Sequence, residues 1–279
     1  MRAWALLAAA ACGPTVVPET PVPSGAGDLP VALVLTERAS GGGRLVIVDE
    51  RGDRQAEVLE PAAVPSRDVG AAFSPDGRWL VFASSRGRPF NESSLWIAPV
   101  GADGVATRIT ADRAIDMSPV WTRDGHAVVF ASTRGGGAGL WRLPLALDGG
   151  RWRIGEPVAL THGPGAEMSP TTLPDGSIVY TAIEFAADSG TAGANQTNGA
   201  PAGAGADGMV GAGGSTSAVS RLERLWPDGR VQVLTNGPAD STPSVSPSGD
   251  LLAFARPVLR VGDSCEATVD ADIVVAPLT

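Results

Sequence analysis

Residues 116–143 read DMSPVWTRDGHAVVFASTRGGGAGLWRL. An acid opens the stretch, a tight turn ends in Gly125 nine residues later, and the apolar run AVVFAS follows. Three other stretches overlay its first ten residues without a gap: DVGAAFSPDG at 68–77, EMSPTTLPDG at 167–176 and DSTPSVSPSG at 240–249. Their turns lead into WLVFAS, SIVYTA and LLAFAR. The leading acids stand 48 residues apart (68 to 116), then 51 (116 to 167), then 73 (167 to 240). Self-similarity at this period, built from strand-length pieces, is the mark of a propeller or solenoid.

The long third interval has a compositional cause. Residues 187–218 are nearly all Gly, Ala, Ser, Thr, Asn and Asp. Such a segment has little to bury against its ordering entropy and reads as a flexible, low-complexity insertion. Without it, the third repeat shrinks toward the length of the others.

One unit holds four strands. After Asp68, the sequence predicts strand A at Val69–Phe73, the turn Ser74-Pro75-Asp76-Gly77, strand B at Trp79–Ser84, strand C at Leu95–Val100 and strand D at Ala106–Thr110. Pro presets φ in the turn, Asp bonds its own backbone, and Gly takes the positive φ. Strand B is apolar at nearly every position, which fits a strand covered on both faces. Strand C recurs as SLWIAPV, GLWRLPL, RLERLW and DIVVAPL, and strand D as ATRIT, PVALT and VQVLT. Four-stranded antiparallel sheets joined this way are blades, and radial repetition leaves few open edges. The chain is therefore all-β, a β-propeller of about five blades, with six blades or an incompletely closed ring as the alternative. The first unit, 31–60, offers strands B, C and D, whereas the last ends after strand C. The Pro-rich stretch 14–24 is the candidate for the missing outer strand, since proline suits only an edge.

An apolar strand after an SPDGR-type turn, followed by an LWIAPV strand, resembles the TolB-like β-propeller repeat. The same repeat type occurs in propeller domains of prolyl-oligopeptidase relatives. The resemblance runs over 31–279 apart from the insertion. It implies a bacterial cell-envelope protein that binds a protein or peptide partner at the mouth of the central channel, without catalysis. The alternative from another class is a propeller hydrolase or lyase acting on a saccharide or peptide. Asp116 and Glu167 would then be its acid and base.

The repeated acids are the candidate site. Asp68, Asp116, Glu167 and Asp240 each open strand A, the innermost strand of a blade, and should ring one mouth of the channel. Such a ring would bind a cation, or a basic loop or peptide of a partner. The structural alternative is that each acid caps the loop before it by accepting backbone N–H groups.

The N-terminus, MRAWALLAAAACGP, resembles a bacterial lipoprotein signal with cleavage before Cys12, which would then carry lipid. On that reading residues 1–11 are the signal, 12–28 a lipid-anchored Pro-rich tether, and 29–279 the propeller. The location is the periplasmic side of the outer membrane, and the lipid is the only membrane contact. Cys265, in a polar loop, is then left without a disulfide partner and without a basic neighbour to activate it.

Composition narrows the partners. Net charge is −9, and every one of the 21 basic residues is arginine. An acidic chain without a basic stripe argues against nucleic acid and against charge-driven lipid binding. The expected state is a monomer. Two histidines, His126 at a turn and His162 before the third repeat's acid, do not make a metal set. The GxGxxG at 203–208 lies in low complexity without a flanking strand or helix, so no cofactor is expected. Trp79, Trp96, Trp121 and Trp141 read as packing between blades, with Trp152 and Trp226 more exposed.

Overall fold

The computed structural model describes residues 33–39, 42–48, 54–57, 66–89, 91–100, 105–185, 218–237, 239–261 and 267–278. The described elements are strands in five antiparallel sheets, one per repeat. The first sheet holds β1 (Leu33–Ala39), β2 (Gly42–Val48) and β3 (Arg54–Glu57). The second holds β4 (Asp68–Phe73), β5 (Trp79–Ser84), β6 (Ser94–Pro99) and β7 (Thr107–Arg108). In the third, β8 (Asp116–Trp121), β9 (Ala127–Ser132) and β10 (Gly139–Asp148) are followed by β11 (Arg151–Ile154) and β12 (Val158–Ala159). The fourth comprises β13 (Ala166–Thr172), β14 (Ile178–Phe185), β15 (Ala218–Leu225) and β16 (Val231–Val233). The fifth has β17 (Ser241–Val245), β18 (Leu251–Val261) and β19 (Ala267–Pro277).

The unbroken apolar runs have a direct cause. Successive residues of β5 face opposite sides, and both sides are packed. Leu80 and Phe82 meet Leu45 and Ile47 of the first blade, while Val81 and Ala83 join Val128 and Phe130 of the third. Likewise Val129 and Ala131 of β9 pack on Ile178, Tyr180 and Ala182 of the fourth blade. Leu173, Val179 and Leu222 of the fourth then close on Val245, Leu252 and Phe254 of the fifth. The core is thus a set of blade-to-blade seams, as stacked repeats require.

The two end blades are incomplete in complementary ways. Among the described residues the first blade lacks an inner strand and the fifth lacks an outer one. On β19, Val269, Ile273 and Val275 share one face and stay largely exposed. Residues 14–24, named above as a closing strand, lie outside the described residues, as do most of the 187–218 insertion, Cys12 and Cys265.

Each inner strand carries a bulge two residues after its acid. Ser118 and Pro119 together oppose Phe130, since Met117 pairs with Ala131 and Val120 with Val129. The residue at this point turns left-handed in four blades: Gly70 at φ 61°, Ser118 at 50°, Ser169 at 52° and Thr242 at 49°. Only glycine takes this region without strain, and a β-branched threonine is the least suited to it. Thr242→Gly is therefore expected to stabilise the protein by about 0.5–1 kcal/mol after the added chain entropy is counted. A raised urea midpoint would be the readout; an unchanged or lowered one would show that the blade relieves the strain elsewhere.

The third blade departs from the four-strand expectation. β10 runs on past the sheet and turns through Gly149 and Gly150, both at positive φ, into β11. A two-residue Gly-Gly loop is the hairpin turn that suits the twist of paired strands. This hairpin carries Trp152 onto Trp79 and Trp121, with ring centroids 5.1 and 5.7 Å away. Trp152 is consequently half-buried rather than displayed.

Side chains also cross the seams. Trp121 Nε1 donates to the Ala72 carbonyl at 3.3 Å, and Thr172 Oγ1 donates to the Trp121 carbonyl at 2.7 Å. Arg123 reaches farther, donating to the carbonyls of Thr172 in the fourth blade and Ser246 in the fifth, at 3.2 and 3.4 Å.

Candidate functional site

Asp68 and Asp116 open β4 and β8, Glu167 is the second residue of β13 and Asp240 precedes β17, and these inner strands pack side by side in order. Their side chains are not displayed. Asp68 is 2% exposed, Asp116 and Asp240 0%, and Glu167 9%.

Three of them are clamped by an arginine of their own blade. Arg86 donates to Asp68 through Nη2 at 2.7 Å, and Ser84 Oγ adds a bond of 2.5 Å. Arg134 Nη2 holds Asp116 Oδ1 at 2.8 Å, and the hydroxyls of Ser132 and Thr110 lie against the same carboxylate. Arg256 grips Asp240 with both Nε and Nη2 at 2.7 Å. A planar guanidinium matching both carboxylate oxygens is the strongest form of this pair. Burial pushes the Asp240 carboxyl up, but Arg256, Thr235 and the Gly237 N–H outweigh it and hold the group below the ordinary aspartate range. For Asp116 burial dominates and the carboxyl is raised despite its donors.

A threonine of the preceding blade completes the joint at Asp116, Glu167 and Asp240. Thr161 Oγ1 donates to Glu167 Oε2 at 3.2 Å while accepting from the Leu140 N–H at 2.8 Å. Thr110 and Thr235 accept from Leu95 and Leu222 in the same way. The outer-strand motifs ATRIT, PVALT and VQVLT thus end in the residue that ties one blade to the next blade's acid. The arginines recur in FASSR, FASTR and FAR, a signal present in the sequence that the acids alone do not reveal.

Glu167 departs from this pattern. In the second and third blades the arginine stands two residues past the strand-B residue paired with the acid: Ser84 then Arg86, Ser132 then Arg134. In the fourth blade the paired residue is Ala182, and two residues on stands Glu184. Among the described residues Glu167 makes no ion pair. Burial raises its carboxyl, the Glu223 charge adds to this, and the Thr161 hydroxyl and His162 work against it. The carboxylate lies against Gly163 and lines a cavity of about 240 Å³ with Gly135, Gly139, Trp141, Thr161 and His162. His162 itself is exposed. Asp116 does not line this cavity, so the two acids named for acid–base work do not meet in it.

At the opposite, turn end of the blades a second cavity of about 490 Å³ lies between the third and fourth blades. Arg123, Arg142, Leu225 and Trp226 are among its walls, and the Arg224 guanidinium sits 3.7 Å from the Trp226 ring centre. Exposed His126 belongs to this end, beside Asp124. Among the described residues no group of three or more His, Cys, Asp or Glu is placed to hold a metal ion.

No protein-family model matches the chain. A 53-residue stretch is 45% identical to the Tol-Pal system protein TolB of Anaeromyxobacter sp. (strain K), which is 19% of this chain and 11% of that protein. Among solved structures, a putative TolB from Agrobacterium tumefaciens superposes with a TM-score of 0.58 at 18% identity, covering 88% of this chain and 73% of the other. TolB from Acinetobacter baumannii gives 0.54 at 21% identity, over 81% and 47%. The chain therefore spans about half of that TolB and a small part of the curated relatives it matches. From the repeat geometry and these likenesses, the fold is a TolB-like β-propeller.

Proposed function

We propose that the protein is a non-catalytic binding propeller of the cell envelope, anchored through lipid at Cys12, which engages a protein or peptide partner at the acid-lined mouth. The observation that carries this reading is the Glu167 cavity, open at the end where the inner strands begin and flanked by the exposed His162. Asp68, Asp116 and Asp240 frame that end through their arginine clamps, and Glu167 is the acid left to make contact. The TolB resemblance supports an envelope location and a protein partner.

The test is a photo-crosslinking amino acid placed at position 162, and separately at 126 on the turn end, in cells of the source organism. Adducts with one envelope protein from position 162, and none from 126, are the expected result. Adducts confined to 126 would move the site to the turn end, and equal labelling from both positions would overturn a mouth-specific contact.

A further inference from the structure

Three blades set a guanidinium from strand B, or just past it, against the carboxylate of the repeated acid. The fourth blade keeps the acid and has lost the base, with Glu184 where Arg86 and Arg134 stand. The local charge compounds the deficit. Glu184 and Glu223 share Arg221, whose Nη2 and Nε lie 2.5 and 2.7 Å from them, and Glu167 adds a third carboxylate. Beside Glu167 is a cavity rather than a guanidinium, walled by Trp141, Thr161, His162, Gly135 and Gly137 to Gly139. An indole ring suits a flat cation, as the Arg134 guanidinium 5.3 Å from the Trp141 ring centre already shows.

We propose that the Glu167 cavity is a socket for an arginine side chain presented by the partner, replacing in trans the guanidinium that the other blades supply in cis. This rests on the mouth-binding reading above and names the chemistry of the contact. A guanidinium entering there would meet the Glu167 carboxylate and the Trp141 ring. Lysine would keep the charge and lose the bidentate fit, and citrulline would keep the shape and lose the charge.

The experiment is titration calorimetry of the full chain with three capped tripeptides, Gly-Arg-Gly, Gly-Lys-Gly and Gly-citrulline-Gly. Saturable binding of the arginine peptide alone, or well above lysine, is the expected result. Glu167→Gln is expected to weaken it at least about tenfold, as loss of a buried charge partner does. Glu184→Arg fills the socket from the blade's own strand, so it should abolish peptide binding while leaving the unfolding midpoint unchanged or higher. That variant exchanges the Glu184–Arg221 pair for one with Glu167, so lost binding at an unlowered midpoint is occupancy of the socket and not lost folding. Equal binding of arginine and citrulline, no binding of either, or full binding by Glu184→Arg overturns the socket. If crosslinks from position 162 persist in any of those cases, the mouth reading stands and only the arginine assignment falls.

Discussion

Replacing Asp116 with alanine is expected to lower the unfolding free energy by about 3–5 kcal/mol, the range found when one partner of a buried ion pair is removed. Asp116 is fully buried and Arg134 is 10% exposed, so the guanidinium cannot simply swing into water. Its other carboxylate, Asp112, lies 3.3 Å away but is half exposed, which sets the loss toward the lower part of that range. Arg134 also leans on the rings of Phe130 and Trp141, at 5.0 and 5.3 Å, so its displacement would disturb the seam beneath. Urea unfolding of the single variant and of Asp116→Ala with Arg134→Leu separates the causes. The double variant should recover much of the loss, because no charge is left stranded. A single-variant loss below about 1 kcal/mol would mean that the clamp is dispensable, against the general cost of stranding a buried charge.

Phe130→Ala is expected to cost a similar about 3–5 kcal/mol, for a different reason: the cavity it leaves. The ring has no solvent exposure and sits in the seam shared by the second and third blades, among Val81, Leu95, Ile97 and Leu143. Rigid strands on both sides leave little room for collapse into the void. Val105→Ala, at a side chain that is 84% exposed, is the control and should stay within about 0.5 kcal/mol. If Phe130→Ala also stays near the control, the seams are not the source of the stability.

Strand B was legible to the residue, Trp79–Ser84, because a strand packed on both faces needs an unbroken apolar run and the glycine turn fixes its start. Strand C came within one residue, observed as Ser94–Pro99 rather than Leu95–Val100. Strand D shrank from Ala106–Thr110 to Thr107–Arg108, since Thr110 turns its hydroxyl to Leu95 and leaves the ladder. The β10–β11 hairpin departs from the four-strand repeat: Asp148-Gly149-Gly150-Arg151 is a strong turn signal, but among the described residues no other blade carries a counterpart to predict it from.

The acids were legible as a repeat but their arginines were not. An arginine just past an apolar run reads as a solvated strand end, and only the pairing register lays it over the acid of the neighbouring strand. The same register turns Glu184 from an ordinary surface residue into the missing partner of Glu167. No local feature of TAIE announces that; it emerges from comparison with FASSR and FASTR once the pairing is known.

Arg123 has a mechanical consequence. In an array whose units touch only their neighbours, blades can be peeled away singly from an end. Arg123 instead joins the third blade to the fifth as well as to the fourth. Pulled from the C-terminus, the last blade would therefore have to break a bond that skips over its neighbour. The final three blades should yield in one step of force rather than three, with Arg123→Ala restoring the staircase.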